Sequence, residues 1–433
     1  MAIPITVIGG GLAGSEAAWQ IARRGVKVRL FEMRPVRQTP AHRTDRLAEI
    51  VCSNSLKSDQ PHSASWLLKE ELRRLGSILM QIAGSVRVPA GAALAVDRER
   101  FAAAVTETIS REPNIEVVRE EVQSIPPEGP VVVASGPLTA AALSESIRNF
   151  CGSDHLYFYD AISPIVDAES IDQTSVFRAS RYGKSTDDYI NCPMNRPEYD
   201  AFYNALVTAE SVALHDFEEP HYFESCLPIE EIARRGRDTL RFGPMRPVGL
   251  DDPATGKRPY AVVQLRQEDL MESSYNIVGF QNHLKFGEQQ RIFRMIPGLE
   301  HAEFLRLGQI HRNTYIHAPQ VLLPSLAARH DHRVFFAGQL AGTEGYIENI
   351  ASGLIAGINA VRFVRAEPPL VLPPETAIGA LCRYVSTPQK HFAPMNINFG
   401  LLPALDLDGR TAKTDKQRLL CERALNALPA GDL

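Results

Sequence analysis

The N-terminal run Ile5-Thr6-Val7-Ile8-Gly9-Gly10-Gly11-Leu12-Ala13-Gly14-Ser15-Glu16 constrains this chain more than any other stretch. Four β-type residues, Ile5 to Ile8, feed a Gly-x-Gly-x-x-Gly turn at Gly9, Gly11 and Gly14. An Ala-rich helix is expected from Ala17 to Arg24, ended by Gly25. Val26 to Phe31 reads as the next strand and closes on Glu32, in the acidic position about 20 residues beyond such a turn. The first glycine permits the tight turn, the second lets backbone approach a pyrophosphate, and the third lets helix pack on strand. The helix N-terminus adds N–H groups without partners and a partial positive charge. A carboxylate at Glu32 would accept hydrogen bonds from ribose hydroxyls. Strand, turn, helix, strand and acid fall in order, so a dinucleotide site formed by Gly9, Gly10, Gly11, Leu12, Ala13, Gly14 and Glu32 is expected.

A chain of 433 residues exceeds one ordinary core and implies two or three domains. Its 44% hydrophobic and 22% charged residues are globular values. No apolar run is expected to reach the length of a membrane span, and the apolar N-terminus lacks a basic leader. The six cysteines are scattered without CxxC or zinc spacing, which predicts a reduced, cytosolic protein without a metal. A net charge of −5 argues against a general nucleic-acid coater but leaves room for a local basic patch.

Along the chain, Ala48-Glu49-Ile50-Val51-Cys52-Ser53-Asn54-Ser55-Leu56 gathers a thiol, hydroxyls and an amide, a poor helix interior. It is either a capped turn before a helix from Ala64 to Leu75 or a polar loop presenting Cys52 to a cofactor. Val131-Val132-Val133-Ala134-Ser135-Gly136 reads as a buried parallel strand ending in small residues, where a Rossmann sheet passes close to its ligand at Gly136. From about Tyr157 the βαβ alternation stops, and it returns at about Asp331. The late run Val334-Phe335-Phe336-Ala337-Gly338-Gln339-Leu340-Ala341-Gly342-Thr343-Glu344-Gly345-Tyr346 is again strand, glycine turn and helix. A nicotinamide-only dehydrogenase has no need of this second segment, so FAD is favoured as the tightly held cofactor, with any reduced nicotinamide docking transiently. The expected class is therefore α/β: a discontinuous Rossmann-type FAD-binding domain, residues 1–156 and 331–433, with an inserted α+β domain, residues 157–330. The insert would face the substrate.

These motifs, with Tyr189-Ile190-Asn191-Cys192-Pro193 and Arg312-Asn313-Thr314-Tyr315, resemble the folate- and FAD-dependent tRNA (uracil-5-)-methyltransferases of bacteria, from Ile5 to about Pro403. The related glucose-inhibited division family shares the late glycine segment. The resemblance implies a glutathione-reductase-like FAD fold, a cytoplasmic monomer, and transfer of a one-carbon unit from 5,10-methylenetetrahydrofolate to C5 of the T-loop uridine of tRNA. Reduced flavin would supply the hydride, and NADH or NADPH would reduce the flavin. It further implies that Asn54, Gly338, Gln339, Gly342, Gly345 and Tyr346 contact the cofactor.

Uracil C5 is a poor nucleophile, and adding a thiolate at C6 makes an enolate that is nucleophilic at C5. A base must then remove the C5 proton. By the resemblance, Cys226, in Glu224-Ser225-Cys226-Leu227-Pro228, is the nucleophile and Cys52 is the base or a shaper of the flavin pocket. Read without it, Cys226 is a small buried hydrophobe, as is Cys192. His311 matches a histidine that stacks on the folate pterin; taken alone it is a surface hydrogen-bonder. Arg178, Arg181, Tyr182 and Lys184 either grip RNA phosphates and stack a base or form a solvated charged face. The competing acceptors are a ribosomal RNA uridine, with the same chemistry, and a small molecule in a flavin oxidoreductase without RNA.

Overall fold

The computed structural model describes residues 3–152, 156–183, 188–212, 227–389, 392–406 and 412–429. Strand Ile5–Ile8 lies at the centre of a five-stranded sheet in the order Val334–Phe336, Val131–Val133, Ile5–Ile8, Val28–Phe31, Ile115–Val118. Every pairing in it is parallel. This is the Rossmann order, with the chain reversing direction across the sheet on either side of Ile5–Ile8. The strands are short runs of Val, Ile, Leu and Phe, because a parallel sheet is covered on both faces.

The helix after the glycine turn spans Leu12–Ala22 rather than starting at Ala17. Gly14 therefore sits inside it. An added Cβ there would stand 1.8 Å from the Gly9 carbonyl oxygen, so only glycine lets the first helical turn rest on the strand end. A helix that sequence reasoning missed, Ile78–Ser85, is capped by Ser77 and by the buried carboxylate of Glu16, which accepts from Leu79 N at 3.2 Å.

Helix Tyr346–Val364 has 19 residues and a mean hydropathy of 1.2 over its most apolar window, long and apolar enough to cross a membrane, contrary to the expectation above. It is a core helix instead, with 78% of that window buried. It lies on Leu12–Ala22 through two glycines: a Cβ at Gly353 would come within 2.2 Å of Ala13 O, and one at Gly357 within 2.6 Å of Ala17 O. The two helix backbones are thus in direct contact.

A second core gathers residues between Val166 and Ala302. It lies on one face of a six-stranded sheet ordered Phe177–Arg178, Tyr189–Met194, Ala261–Gln267, Ser274–Ile277, Ile165–Asp167, Phe304–Arg306, antiparallel throughout. Along Ala261–Gln267 the period-2 alternation sends Ala261, Val263 and Leu265 into that core. Val262, Gln264 and Arg266 point the other way, and Arg266 reaches the Cys52 loop. An antiparallel ribbon, Leu156–Ala161 with Ile310–Tyr315, joins this layer to the parallel sheet. From Tyr315 onward, buried residues return to the first core, as far as Ala424 on the last described helix, Lys413–Ala427.

Glu71 caps helix Ala377–Ser386, accepting from Ala377 N at 2.7 Å and Ile378 N at 2.9 Å. Burial outweighs these bonds and pushes its carboxyl from 4.5 up to about 8. The folded state therefore keeps a proton that the unfolded chain has lost. Stability should be greatest below 4.5 as far as this group is concerned and fall as pH rises toward about 8. Glu71→Gln should flatten that slope, seen as a difference of several degrees in the pH dependence of Tm. Parallel wild-type and variant profiles would contradict it.

Candidate functional site

Strand Ile5–Ile8 ends at Gly9, whose φ of +104° strains any other residue and whose added Cβ would meet Ala134 O at 2.4 Å. The neighbouring strand is tied in by Ala134 N donating to Ile8 O at 2.8 Å. Beyond these strand ends opens a cleft with about 1250 Å³ of empty space, part of it continuous with solvent. It lies at the carboxyl edge of the parallel sheet, where the strand order reverses.

Gly9, Gly10, Gly11, Leu12, Ala13, Glu32, Cys52, Gly136, Gly338, Gln339 and Tyr346 all line this cleft. The two glycine segments, distant in sequence, meet across it. Gly14, Asn54, Gly342 and Gly345 were expected there too, but they stand behind the wall. Gly342, at φ +84°, packs under Phe392, and Gly345, at φ +109°, precedes the late helix with Glu348 and Lys57 against it. Asn54 is fully buried. It accepts from Arg266 Nε at 2.8 Å and donates to Gln267 O at 2.8 Å, so it straps the Cys52 loop to the second sheet.

Glu32 departs from its expected role. Its carboxylate accepts from Gly10 N at 3.1 Å, Arg34 N at 3.0 Å, Arg34 Nε at 2.9 Å and Arg34 Nη2 at 3.2 Å. Four donors fill the roughly four lone-pair sites of a carboxylate, leaving none for a ribose hydroxyl in this arrangement. Burial works against ionisation, but the bonds and charge of Arg34 hold the carboxyl below its usual range. Arg34 is itself 2% exposed and also pairs with Glu49 at 2.9 Å. His42, beside this group, is pushed down to about 4 by burial and by Arg34, so it is neutral at pH 7. Sequence reasoning missed Arg34, His42 and Glu49. The signal for Arg34 and His42 was the cation-rich loop directly after Glu32, and for Glu49 its place in the Cys52 stretch.

The Cys52 loop hangs from the late helix. The hydroxyl of Tyr346, its first residue, accepts from Cys52 N at 2.8 Å and Ser53 N at 3.1 Å. Burial pushes the Tyr346 hydroxyl well above its usual range, so it stays protonated. Beneath the loop, Arg98 Nη1 donates to Val51 O at 2.6 Å, and Arg306 Nη1 donates to the same oxygen at 3.0 Å. Ser53 and Asn54 are spent on fixing the loop, while Cys52 lines the cleft.

His311 lies on the ribbon strand opposite Asp160, and its neighbour Asn313 lines the cleft. Arg178 sits on the outermost strand of the second sheet, paired with Glu272 at 3.0 Å and Tyr275 at 2.9 Å. Arg181 donates to Gln264 and to Val248 O, each at 3.0 Å. Of that group only Tyr182 presents a mostly exposed ring, at 58%. None of the three lines the cleft. Cys226 and Lys184 lie outside the described residues. Cys192 and Cys382 are buried, with thiols pushed up by burial, as is that of the partly buried Cys151. Among the described residues no cluster of His, Cys, Asp and Glu could hold a metal ion.

The chain is similar over nearly its full length to two proteins named methylenetetrahydrofolate–tRNA-(uracil-5-)-methyltransferase TrmFO. The protein of Solibacter usitatus is 59% identical over 437 aligned positions, covering 99% of this chain and 98% of that one. The protein of Moorella thermoacetica is 57% identical over 426, covering 98% and 97%. In structure the chain superposes on Aquifex aeolicus GidA with a TM-score of 0.71 at 18% identity, covering 99% of this chain and 74% of that one. The family model for glucose inhibited division protein A matches residues 4–368. This chain therefore belongs to the glucose inhibited division protein A family, within the branch formed by the TrmFO proteins.

Proposed function

We propose that this chain is a flavin- and folate-dependent tRNA methyltransferase that forms 5-methyluridine at the T-loop uridine. The observation that carries it is a cysteine, Cys52, held at the wall of a dinucleotide cleft in a chain so similar to proteins bearing that activity's name. The cleft fits FAD. Gly11 and Gly136 line it, and a Cβ at either would meet no protein atom within 4 Å, so these positions keep room for a ligand rather than for protein. Gly9 to Ala13 and the start of helix Leu12–Ala22 would hold the pyrophosphate. Glu32 and Arg34 would flank the adenosine end, and Gly338, Gln339 and Tyr346 the flavin end. Bound and reduced, FAD supplies the hydride that completes the methyl group, and NADH or NADPH is the reductant.

The protein's own groups do the rest. Cys226 adds its thiolate to uracil C6, which loads electron density onto C5 for bonding to the one-carbon unit of methylenetetrahydrofolate. Cys52 takes the C5 proton as the carbon–nitrogen bond to the folate breaks and tetrahydrofolate leaves, and once the new carbon has its hydride, departure of the Cys226 sulfur from C6 releases the product. His311 is assigned to the folate by the family resemblance. Arg178, Arg181, Tyr182 and Lys184 meet the RNA, whose target base must leave its stack to reach the cleft.

The test is incubation of FAD-loaded protein with unmodified tRNA, methylenetetrahydrofolate and NADPH, followed by nucleoside analysis. 5-Methyluridine is expected, and its absence with working controls removes the proposal. With tRNA containing 5-fluorouracil, Cys226→Ala should abolish the covalent protein–RNA adduct while FAD stays bound. A retained adduct would reassign the nucleophile.

A further inference from the structure

The Val51-Cys52-Ser53-Asn54 loop rests on three guanidiniums from three different elements, those of Arg266 and Arg306 buried and that of Arg98 mostly so. Arg98 opens helix Arg98–Arg111 and donates to Ile50 O at 3.0 Å and Val51 O at 2.6 Å. Arg266, on the central strand of the second sheet, donates to Ser53 Oγ at 2.7 Å and Asn54 Oδ1 at 2.8 Å. Arg306, on the outer strand Phe304–Arg306, donates to Val51 O at 3.0 Å. One carboxylate, Glu268, answers them, and it is bound by Arg98 through Nε at 2.5 Å and Nη2 at 3.1 Å. Among the described residues neither Arg266 nor Arg306 has an ion pair of its own. The other groups facing the loop do not correct this imbalance. Tyr346 and His42 are neutral at pH 7, Glu49 is taken up by Arg34, and Arg43 adds a further positive charge near Arg306.

We infer that Arg98, Arg266 and Arg306 are positioning residues that keep the Cys52 side chain in its thiolate form, facing the cleft, at neutral pH. A buried excess of positive charge is stabilising only if an anion completes it, and Cys52 is the ionisable group on the loop these guanidiniums hold. Arg98 and Arg306 each gain from a charge on Cys52. Arg306, pulled down to about 10 by burial and by Arg98, is still a cation at pH 7. Opposite charge close to an acidic group lowers it by about one pH unit or more. Two of the three cations come from the insert. The insert therefore does more than face RNA: it sets the protonation state of a residue on the nucleotide domain. The inference gives Cys52 the deprotonated form that its proposed role as base requires, and so it rests on that reading for its meaning.

Its test does not depend on methyl transfer. FAD-loaded protein is treated briefly with iodoacetamide across a pH series, and carbamidomethylation of Cys52 is read by peptide mass spectrometry. The wild-type midpoint is expected at least about one unit below the ordinary thiol value of about 8.5. Shielding by bound flavin lowers the rate at every pH but leaves the midpoint in place. Arg306→Gln should raise the midpoint by about one unit, a roughly tenfold loss of alkylation rate at neutral pH, and Arg306→Lys should restore most of it. A wild-type midpoint at the ordinary value overturns the inference without recourse to any variant. So does an Arg306→Gln protein that keeps its flavin and the wild-type midpoint. A low midpoint without 5-methyluridine formation would retain the thiolate and refute the proposed reaction instead.

Discussion

Cys52→Ala is expected to lower 5-methyluridine formation by about 10²- to 10⁴-fold, the range associated with loss of a positioned general base, while FAD remains bound with an altered visible spectrum. The backbone argues that the variant keeps its shape. The loop is held through the amides of Cys52 and Ser53 on Tyr346 and through the Val51 carbonyl on Arg98 and Arg306. None of these bonds uses the Cys52 side chain, so alanine removes the sulfur and leaves its scaffold. The loss should therefore appear mainly in turnover, and Tm should fall only by what the thiolate contributes against Arg98, Arg266 and Arg306. Nucleoside analysis under single-turnover conditions, with a flavin spectrum of the same sample, measures both. Full activity with an unchanged spectrum would place the sulfur away from the chemistry and remove it from the mechanism.

The second large effect separates two glycines three positions apart. Gly14→Ala would drive a Cβ to 1.8 Å from Gly9 O, backbone against backbone. No rotamer relieves that contact, and the strand end or the helix start must move, at a cost of about 3 kcal/mol or more. Poorly soluble or colourless protein with a strongly lowered Tm is expected. Gly11→Ala meets nothing within 4 Å and has an ordinary backbone, with φ of −74°. It should fold with near wild-type Tm and yet bind FAD at least tenfold more weakly, because its methyl occupies space kept for the ligand. Equal Tm losses in the two variants, or tight flavin binding by Gly11→Ala, would contradict the division of labour between them.

Much of this was legible because it follows from spacing. The parallel strands, the glycine turn and the late glycine segment announce themselves through apolar runs that stop at glycine. Cys52 was legible as an odd residue in a polar loop. The occupancy of Glu32 was not. Whether a carboxylate is open to a ligand depends on what else reaches it, and the guanidinium that fills it, Arg34, lies only two residues away, where sequence shows a neighbour but not a bond. Asn54, Gly342 and Gly345 were assigned to the ligand through the family resemblance, and they lie within three residues of Cys52, Gln339 and Tyr346, which do line the cleft. A turn exposes one side to the cavity and the other to the core, and one-dimensional proximity cannot tell the two apart. The arginines under the loop were invisible for a stronger reason. Arg98, Arg266 and Arg306 lie far apart along the chain and meet only after the second sheet has docked.

The backbone contact between helices Leu12–Ala22 and Tyr346–Val364 has a consequence for biosynthesis. The opening strands and their glycine turn leave the ribosome first, but the helix that braces them, with Tyr346 at its start, is made only after the whole intervening layer. A nascent chain arrested inside the insert would carry the glycine turn with half the wall of its cleft missing, and a chain cut just before Tyr346 should emerge as colourless apoprotein. Flavin capture thereby waits until helix Tyr346–Val364 has been made.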